Sequence, residues 1–159
     1  MAACVAAAAA VVWSASSVPA KSMPSSPATV ADEAPGYAVE DFNYPGADKI
    51  LQEKGIVLKR GDGHIVLAEC GSQGGLMEIW VRSQDRVCFK VTGSSGYLSL
   101  EIPAVYGIRG AADQSADVTM TVDGEKTHYD IPKGTLTPVG ESVDPDGRDH
   151  MLVEISTSK

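Results

Sequence analysis

From Ile56 onward the sequence alternates apolar and polar residues with a period of two, and glycine-rich steps interrupt the alternation at short intervals. This pattern constrains the fold more than any other feature. It sends one side of each segment into a core and the other into solvent, which suits a half-buried strand and not a helix. The segments that carry it are 56–58, 64–70, 76–82, 87–91, 97–102, 106–108, 117–122, 126–131 and 150–156. Turn residues separate them at Gly61-Asp62-Gly63, Gly71 to Gly75, Gly93 to Gly96, Asp123-Gly124 and Pro145 to Arg148. Asp123-Gly124 is the clearest hairpin signal, because a two-residue type I′ turn needs positive φ at both central positions. One helix is expected: Pro45-Gly46 opens it, Ala47 to Lys54 form it, and Gly55 stands where a left-handed cap belongs. The fold class that follows is mainly β, an antiparallel β-sandwich or partly open barrel with one short N-terminal helix, spanning residues 45–159.

The same alternation predicts which residues pair. Met77, Ile79 and Val81 share one face, with Glu78, Trp80 and Arg82 on the other. Val87, Phe89 and Val91 face the core, leaving Cys88 and Lys90 opposite. In the next strand Leu98, Leu100 and Ile102 point inward, and Tyr97, Ser99 and Glu101 outward. Paired residues point to the same side, so the expected register sets Val81 against Phe89 and Trp80 against Lys90, around a tip of Gln84-Asp85-Arg86.

The chain has three cysteines. Cys4 falls in an apolar leader, so Cys70 and Cys88 are left as a potential pair. A bond between them would stabilise the fold by roughly 3 kcal/mol. A plain three-stranded meander would hold them about 16 Å apart, whereas a disulfide needs Cα atoms within about 7 Å. The bond and the meander exclude each other. Residues 64–70 and 76–82 are therefore not expected to form a regular hairpin; either Gly71 to Gly75 arches to the other sheet, or the middle strand is short and bent.

The leader itself runs from Ala2 to Trp13 without a polar residue, followed by small, polar and proline-broken sequence to Ala31. That is the outline of a secretory signal peptide over residues 1–31, with cleavage positions after Ala20 or Ala31. At about 12 residues the apolar run is short of the roughly 20 that cross a hydrocarbon core. No Lys or Arg precedes it, which points to a start codon further upstream. Residues 32–44 read as an acidic arm. The net charge of −8 argues against nucleic acid or an anionic membrane as partner. Secretion to the extracellular space is the expectation.

Trp80 is the leading candidate for a binding residue. Its strand pattern places it outside the core with Glu78 and Arg82 along the strand, Lys90 beside it and Tyr97 nearby, an aromatic and charged patch suited to a glycan or a protein. The opposing reading is a tryptophan covered by a loop, with Tyr37 and Phe42 of the arm as the cover. Asp144, Asp146 and Asp149 surround a glycine as calcium ligands can, but without EF-hand spacing; an acidic turn is the simpler reading. His64, His128 and His150 lie on separate strands in no zinc pattern. No serine sits in a G-x-S-x-G elbow, and nothing selects a carboxylate pair for glycoside chemistry. Lys59 to Gly63 lacks the helix a phosphate loop needs, and Arg60-Gly61-Asp62 reads as turn chemistry. No cofactor is expected.

The runs YPGADKILQEKGIVLKRGDGHIVLAEC, CFKVTG, GYLSLEIPAVYGIRG and TPVGESVDP resemble a group of small secreted proteins of filamentous soil bacteria. The likeness covers Tyr44 to Ile155. It implies export, one compact β-rich domain and a Cys70–Cys88 bond, and carries no activity. Two functional expectations follow. The first is a secreted, non-enzymatic module that binds an extracellular protein or glycan through the Trp80/Tyr97 face. The alternative is a protease inhibitor presenting the loop Ser83 to Arg86, with Arg82 or Arg86 for a trypsin-like pocket.

Overall fold

A computed structural model describes residues 42–82 and 84–159; the leader, the arm before Phe42 and Ser83 lie outside them. The elements are β1 (Phe42–Asn43), α1 (Ala47–Lys54), β2 (Val57–Gly61), β3 (Ile65–Ala68), β4 (Met77–Val81) and β5 (Val87–Val91). They continue with β6 (Ser95–Ile102), β7 (Val105–Arg109), β8 (Ser115–Val122), β9 (Glu125–Ile131), β10 (Leu136–Pro138), a 3₁₀ turn at Gly140–Ser142, and β11 (Met151–Ser158). Two antiparallel sheets pack together as a sandwich. One has the order β1-β2-β6-β11-β8-β9 and the other β10-β7-β4-β5-β3.

The alternation fills the space between them. The six-stranded sheet contributes Leu58, Leu98, Leu100, Ile102, Val118, Met120, Leu152 and Ile155. The five-stranded sheet meets them with Ile65, Met77, Ile79, Phe89, Val105 and Ile108; all are essentially inaccessible to solvent. Leu152 and Ile155 are three residues apart, yet both are core. A register shift between Leu152 and Glu154 supplies the extra residue that resets the phase.

Local chemistry sets the ends of elements as expected. Asp123 (φ 50°) and Gly124 (φ 82°) form the tight turn between β8 and β9, with Val122 opposite Glu125. Gly55 closes α1 in the left-handed conformation, its N–H donating to Leu51 O. A helix of 8 residues that buries none of its side chains is marginal alone. It is held by its neighbours: half-buried Ile50 packs on the core.

The cysteine bond forms, with 5.2 Å between the Cα atoms of Cys70 and Cys88. Strand order resolves the conflict with the meander, because β3 and β4 are not neighbours; β5 lies between them. The loop after β3 therefore crosses β5 to reach β4. Cys88, flanked by inward-facing Val87 and Phe89, points outward, where it meets Cys70 of that loop. The irregular connection was expected; its destination was not, since Gly71 to Gly75 return the chain to the same sheet.

The register of β4 with β5 also differs from expectation. Met77 pairs with Phe89, Glu78 with Cys88 and Ile79 with Val87, a slide of four residues. An even slide leaves every side chain on its own face, so the alternation could not distinguish the two pairings. Its consequence falls on Lys90, which no longer lies beside Trp80.

Candidate functional site: the outer face of the five-stranded sheet

Trp80 sits on the outer side of β4, half-buried. Opposite it on β7 is Gly107, and the indole lies over that residue. A Cβ added at Gly107 would stand 3.1 Å from Trp80 Cε3 and 3.5 Å from a Leu136 methyl. Glycine thus makes room for the ring. Arg109, one outward position along β7, places its guanidinium 5.7 Å from the Trp80 ring centre.

A bulge doubles this arrangement. Trp80 pairs with Gly107 but Val81 pairs with Val105, so Tyr106 is an additional residue between them. With Val105 and Ile108 both inside the core, Tyr106 and Gly107 share the outer side. Tyr106 there receives the guanidinium of Arg82 at 5.4 Å from its ring centre. Two aromatic side chains, each with an arginine over its ring, thus share the outer side of the β4–β7 pair. Bulges are a recurrent means of re-aiming a side chain at functional positions.

Carboxylates fix the arginines. Arg82 Nε donates to Glu141 Oε2 at 2.6 Å, and its Nη2 pairs with the other oxygen. Hydrogen bonding to Glu141 raises the Arg82 pKa further above its usual range. Glu78 lies between Arg86, at 3.0 Å, and Arg109, at 3.8 Å. Three of the five arginines in this acidic chain are gathered on this face, their side chains about half exposed.

Of the residues expected here, Trp80, Glu78 and Arg82 come together. Tyr97 does not: it lies on β6 in the other sheet, its hydroxyl 3.3 Å from Glu154. Lys90 is outward-facing but pairs with Val66 of β3, on the far side of β5 from β4. Phe42 pairs with Gly61 at the edge of the six-stranded sheet, and so is no cover for Trp80; Tyr37 lies outside the described residues. Tyr106, Gly107, Arg109 and Leu136 were missed. Their signal was present in Val105-Tyr106-Gly107-Ile108, where two apolar residues three apart break the alternation as a bulge does.

The acidic turn is organised by an arginine. Asp144, with its side chain only 3 % exposed, accepts from Arg148 Nε at 2.8 Å and Nη2 at 3.1 Å, and from the Arg148 backbone N–H at 2.9 Å. The Arg148 guanidinium holds the Asp144 carboxyl well below the usual carboxylate range. Arg148 also reaches Asp123 at 3.1 Å, tying this turn to the β8–β9 hairpin. Among the described residues no three His, Cys, Asp or Glu side chains form a group that could hold a metal ion. In the turn that carries Asp144, Asp146 and Asp149, the first carboxylate is committed to Arg148. His64 Nδ1 meets Ser95 O at 2.9 Å and His128 Nδ1 meets Thr119 Oγ1 at 3.1 Å. His150 is buried, with Nε2 3.5 Å from Asp144.

Among the described residues no helix is long and apolar enough to cross a membrane. Compared with known protein families and with curated proteins, the chain matches none.

Proposed function

We propose that this protein is a secreted, non-enzymatic binding module whose contact surface is the outer face of the five-stranded sheet, centred on Trp80 and Tyr106. The observation that carries this reading is the presence on one sheet face of two arginine-covered rings, Tyr106 at the bulge and Trp80 over Gly107. Tryptophan, tyrosine and arginine are the side chains that dominate binding energy at protein interfaces. Aromatic faces also stack on sugar rings, and the partner is an extracellular protein or glycan. The cysteine bond and the leader-like sequence support an oxidising compartment outside the cell.

Trp80→Ala tests it. Capture of a partner from culture medium should weaken by roughly 30-fold or more, the effect of losing a hot-spot residue worth about 2 kcal/mol. Thermal stability should fall by only about 1 kcal/mol or less, as befits a surface substitution. A large loss of stability would instead make Trp80 a structural residue. The inhibitor reading is the weaker one, because Arg82 and Arg86 both engage carboxylates of their own chain. Inhibition of a trypsin-like protease that disappears on Arg86→Ala would reverse the order.

A further inference from the structure

The arginines on the face around Trp80 outnumber the carboxylates that hold them. Arg82 takes both oxygens of Glu141. Glu78 alone serves the other two, with its Oε2 3.0 Å from Arg86 Nη1 and 3.8 Å from Arg109 Nε. Among the described residues, three guanidiniums on this face are thus ion-paired to two carboxylates, in a chain whose net charge is −8. Lys90 adds a further exposed cation on the outer side of β5.

The unmatched charge falls at Arg109, the arginine held least tightly. Besides the 3.8 Å contact with Glu78, its Nη1 reaches Gly134 O at 3.4 Å. A guanidinium has more N–H donors than these two contacts use. Its side chain is 42 % exposed, and the Trp80 ring centre lies 5.7 Å from its central carbon. An aromatic neighbour keeps water from part of the cation, which strengthens its attraction for an anion. Directly opposite Arg109 on β10 is Leu136, a large apolar side chain left 40 % exposed. A Leu136 methyl closes over Gly107 beside Trp80, 3.5 Å from where a Cβ would stand. Trp80, Arg109 and Leu136 therefore make one compact patch, a cation with an indole and an aliphatic side chain as neighbours.

We propose, on the reading that this face recognises a partner, that the patch takes a carboxylate borne beside an apolar side chain. The partner is then a protein presenting a short acidic and apolar segment. Its carboxylate completes the pairing of Arg109, fork to fork, and the adjoining apolar side chain covers Leu136. The surroundings of the indole favour a peptide over a sugar. Trp80 lies over Gly107 and receives Arg109, so the ring already has contacts that a stacked sugar would have to displace. The net charge of −8 repels a polyanion at long range. That repulsion bears on densely charged glycans and much less on a segment with a single acid beside an apolar residue.

Titration of the whole chain with short capped peptides, followed by the Trp80 indole N–H resonance, tests the proposal. A peptide with adjacent Glu and Leu should shift that resonance saturably, and its Gln-Leu counterpart should bind roughly ten-fold more weakly. Arg109→Gln should weaken binding of the Glu-Leu peptide by a similar factor, Arg109→Lys by less, and Lys126→Gln on β9 not at all. Equal affinity for the two peptides would overturn the proposal, as would affinity undiminished in Arg109→Gln. Binding of oligogalacturonate that needs Arg109, with neither peptide bound, would overturn it in favour of an acidic glycan. A resonance that no probe shifts would exclude the acidic segment, and Trp80→Ala then tells the two failures apart. Capture from culture medium lost in that variant keeps the surface for a partner of other chemistry, whereas capture retained removes the surface itself.

Discussion

The two outer faces of this sandwich are built on the same alternation and differ in almost everything else. On the six-stranded sheet the outward positions include Ser99, Glu101, Asp117, Thr119, Lys126 and Glu154, with Tyr97 bonded to Glu154. They form small polar pairs and leave β9 exposed at five of its seven residues. On the five-stranded sheet the outward side carries a disulfide, two aromatic rings and three arginines. A face that only has to be soluble can be assembled from short polar side chains. The other face spends a bulge, a bare glycine and two partly buried carboxylates on holding large side chains in place, as the proposed recognition surface would require.

The largest effect that should separate the faces is loss of the disulfide. Replacing Cys70 and Cys88 together by alanine should cost about 3 kcal/mol in unfolding free energy by denaturant titration. Amide exchange should quicken first in the loops around Arg86 and Gly71, with β8 and β9 least affected below the global transition. Uniform quickening across both sheets would show that the bond supports the whole core and not one face.

Asp144 gives a pH-dependent contrast. Its folded pKa lies below the roughly 3.9 of an unfolded aspartate, so its contribution is complete above that value and disappears as pH falls through the folded pKa. Thermal stability of the protein should exceed that of Asp144→Asn at neutral pH, and the difference should shrink as the solution is acidified below pH about 4. Because Glu141 lies in the adjoining 3₁₀ turn, Asp144→Asn should also disturb the Arg82–Tyr106 pair. A pH-independent difference would mean that the charge on Asp144 is not what stabilises the turn.

Smaller effects follow. Gly107→Ala sets a methyl 3.1 Å from Trp80 Cε3, so the indole must move by a few tenths of an ångström. Stability should drop by about 1 kcal/mol, with a shifted Trp80 indole N–H resonance. Tyr97→Phe on the opposite face removes the hydroxyl that donates to Glu154, and its effect should stay within about 0.5 kcal/mol with partner capture unchanged.

How much of this was legible in the sequence depends on what each property rests upon. Inward-facing residues were readable because burial follows alternation, and Met77, Ile79, Leu98, Leu100 and Ile102 all lie where the pattern put them. The β8–β9 turn and the Gly55 cap were readable because few residues accept positive φ. The pairing of β4 with β5 was not, since sliding by four preserves every face and Arg82 to Arg86 contain no turn signal strong enough to fix a register. Nor was the assignment of strands to sheets, which alternation does not encode; this is why Tyr97 was grouped with Trp80, whereas Lys90 was grouped with it through the β4–β5 register. The cysteines came closest to revealing topology. They excluded the meander, although not in favour of a β5 inserted between β3 and β4. The site was half legible: Trp80, Glu78 and Arg82 were found on one strand, while their partners across the ladder required the bulge at Tyr106.

The central claim is that the face around Trp80 recognises a partner and the face around Tyr97 does not. Its most direct test compares Trp80→Ala with Tyr97→Ala, each examined by partner capture from culture medium and by thermal melting. The account predicts that Trp80→Ala abolishes capture with melting nearly intact, and that Tyr97→Ala leaves capture unchanged. Capture lost in Tyr97→Ala but retained in Trp80→Ala would place recognition on the other sheet and contradict it.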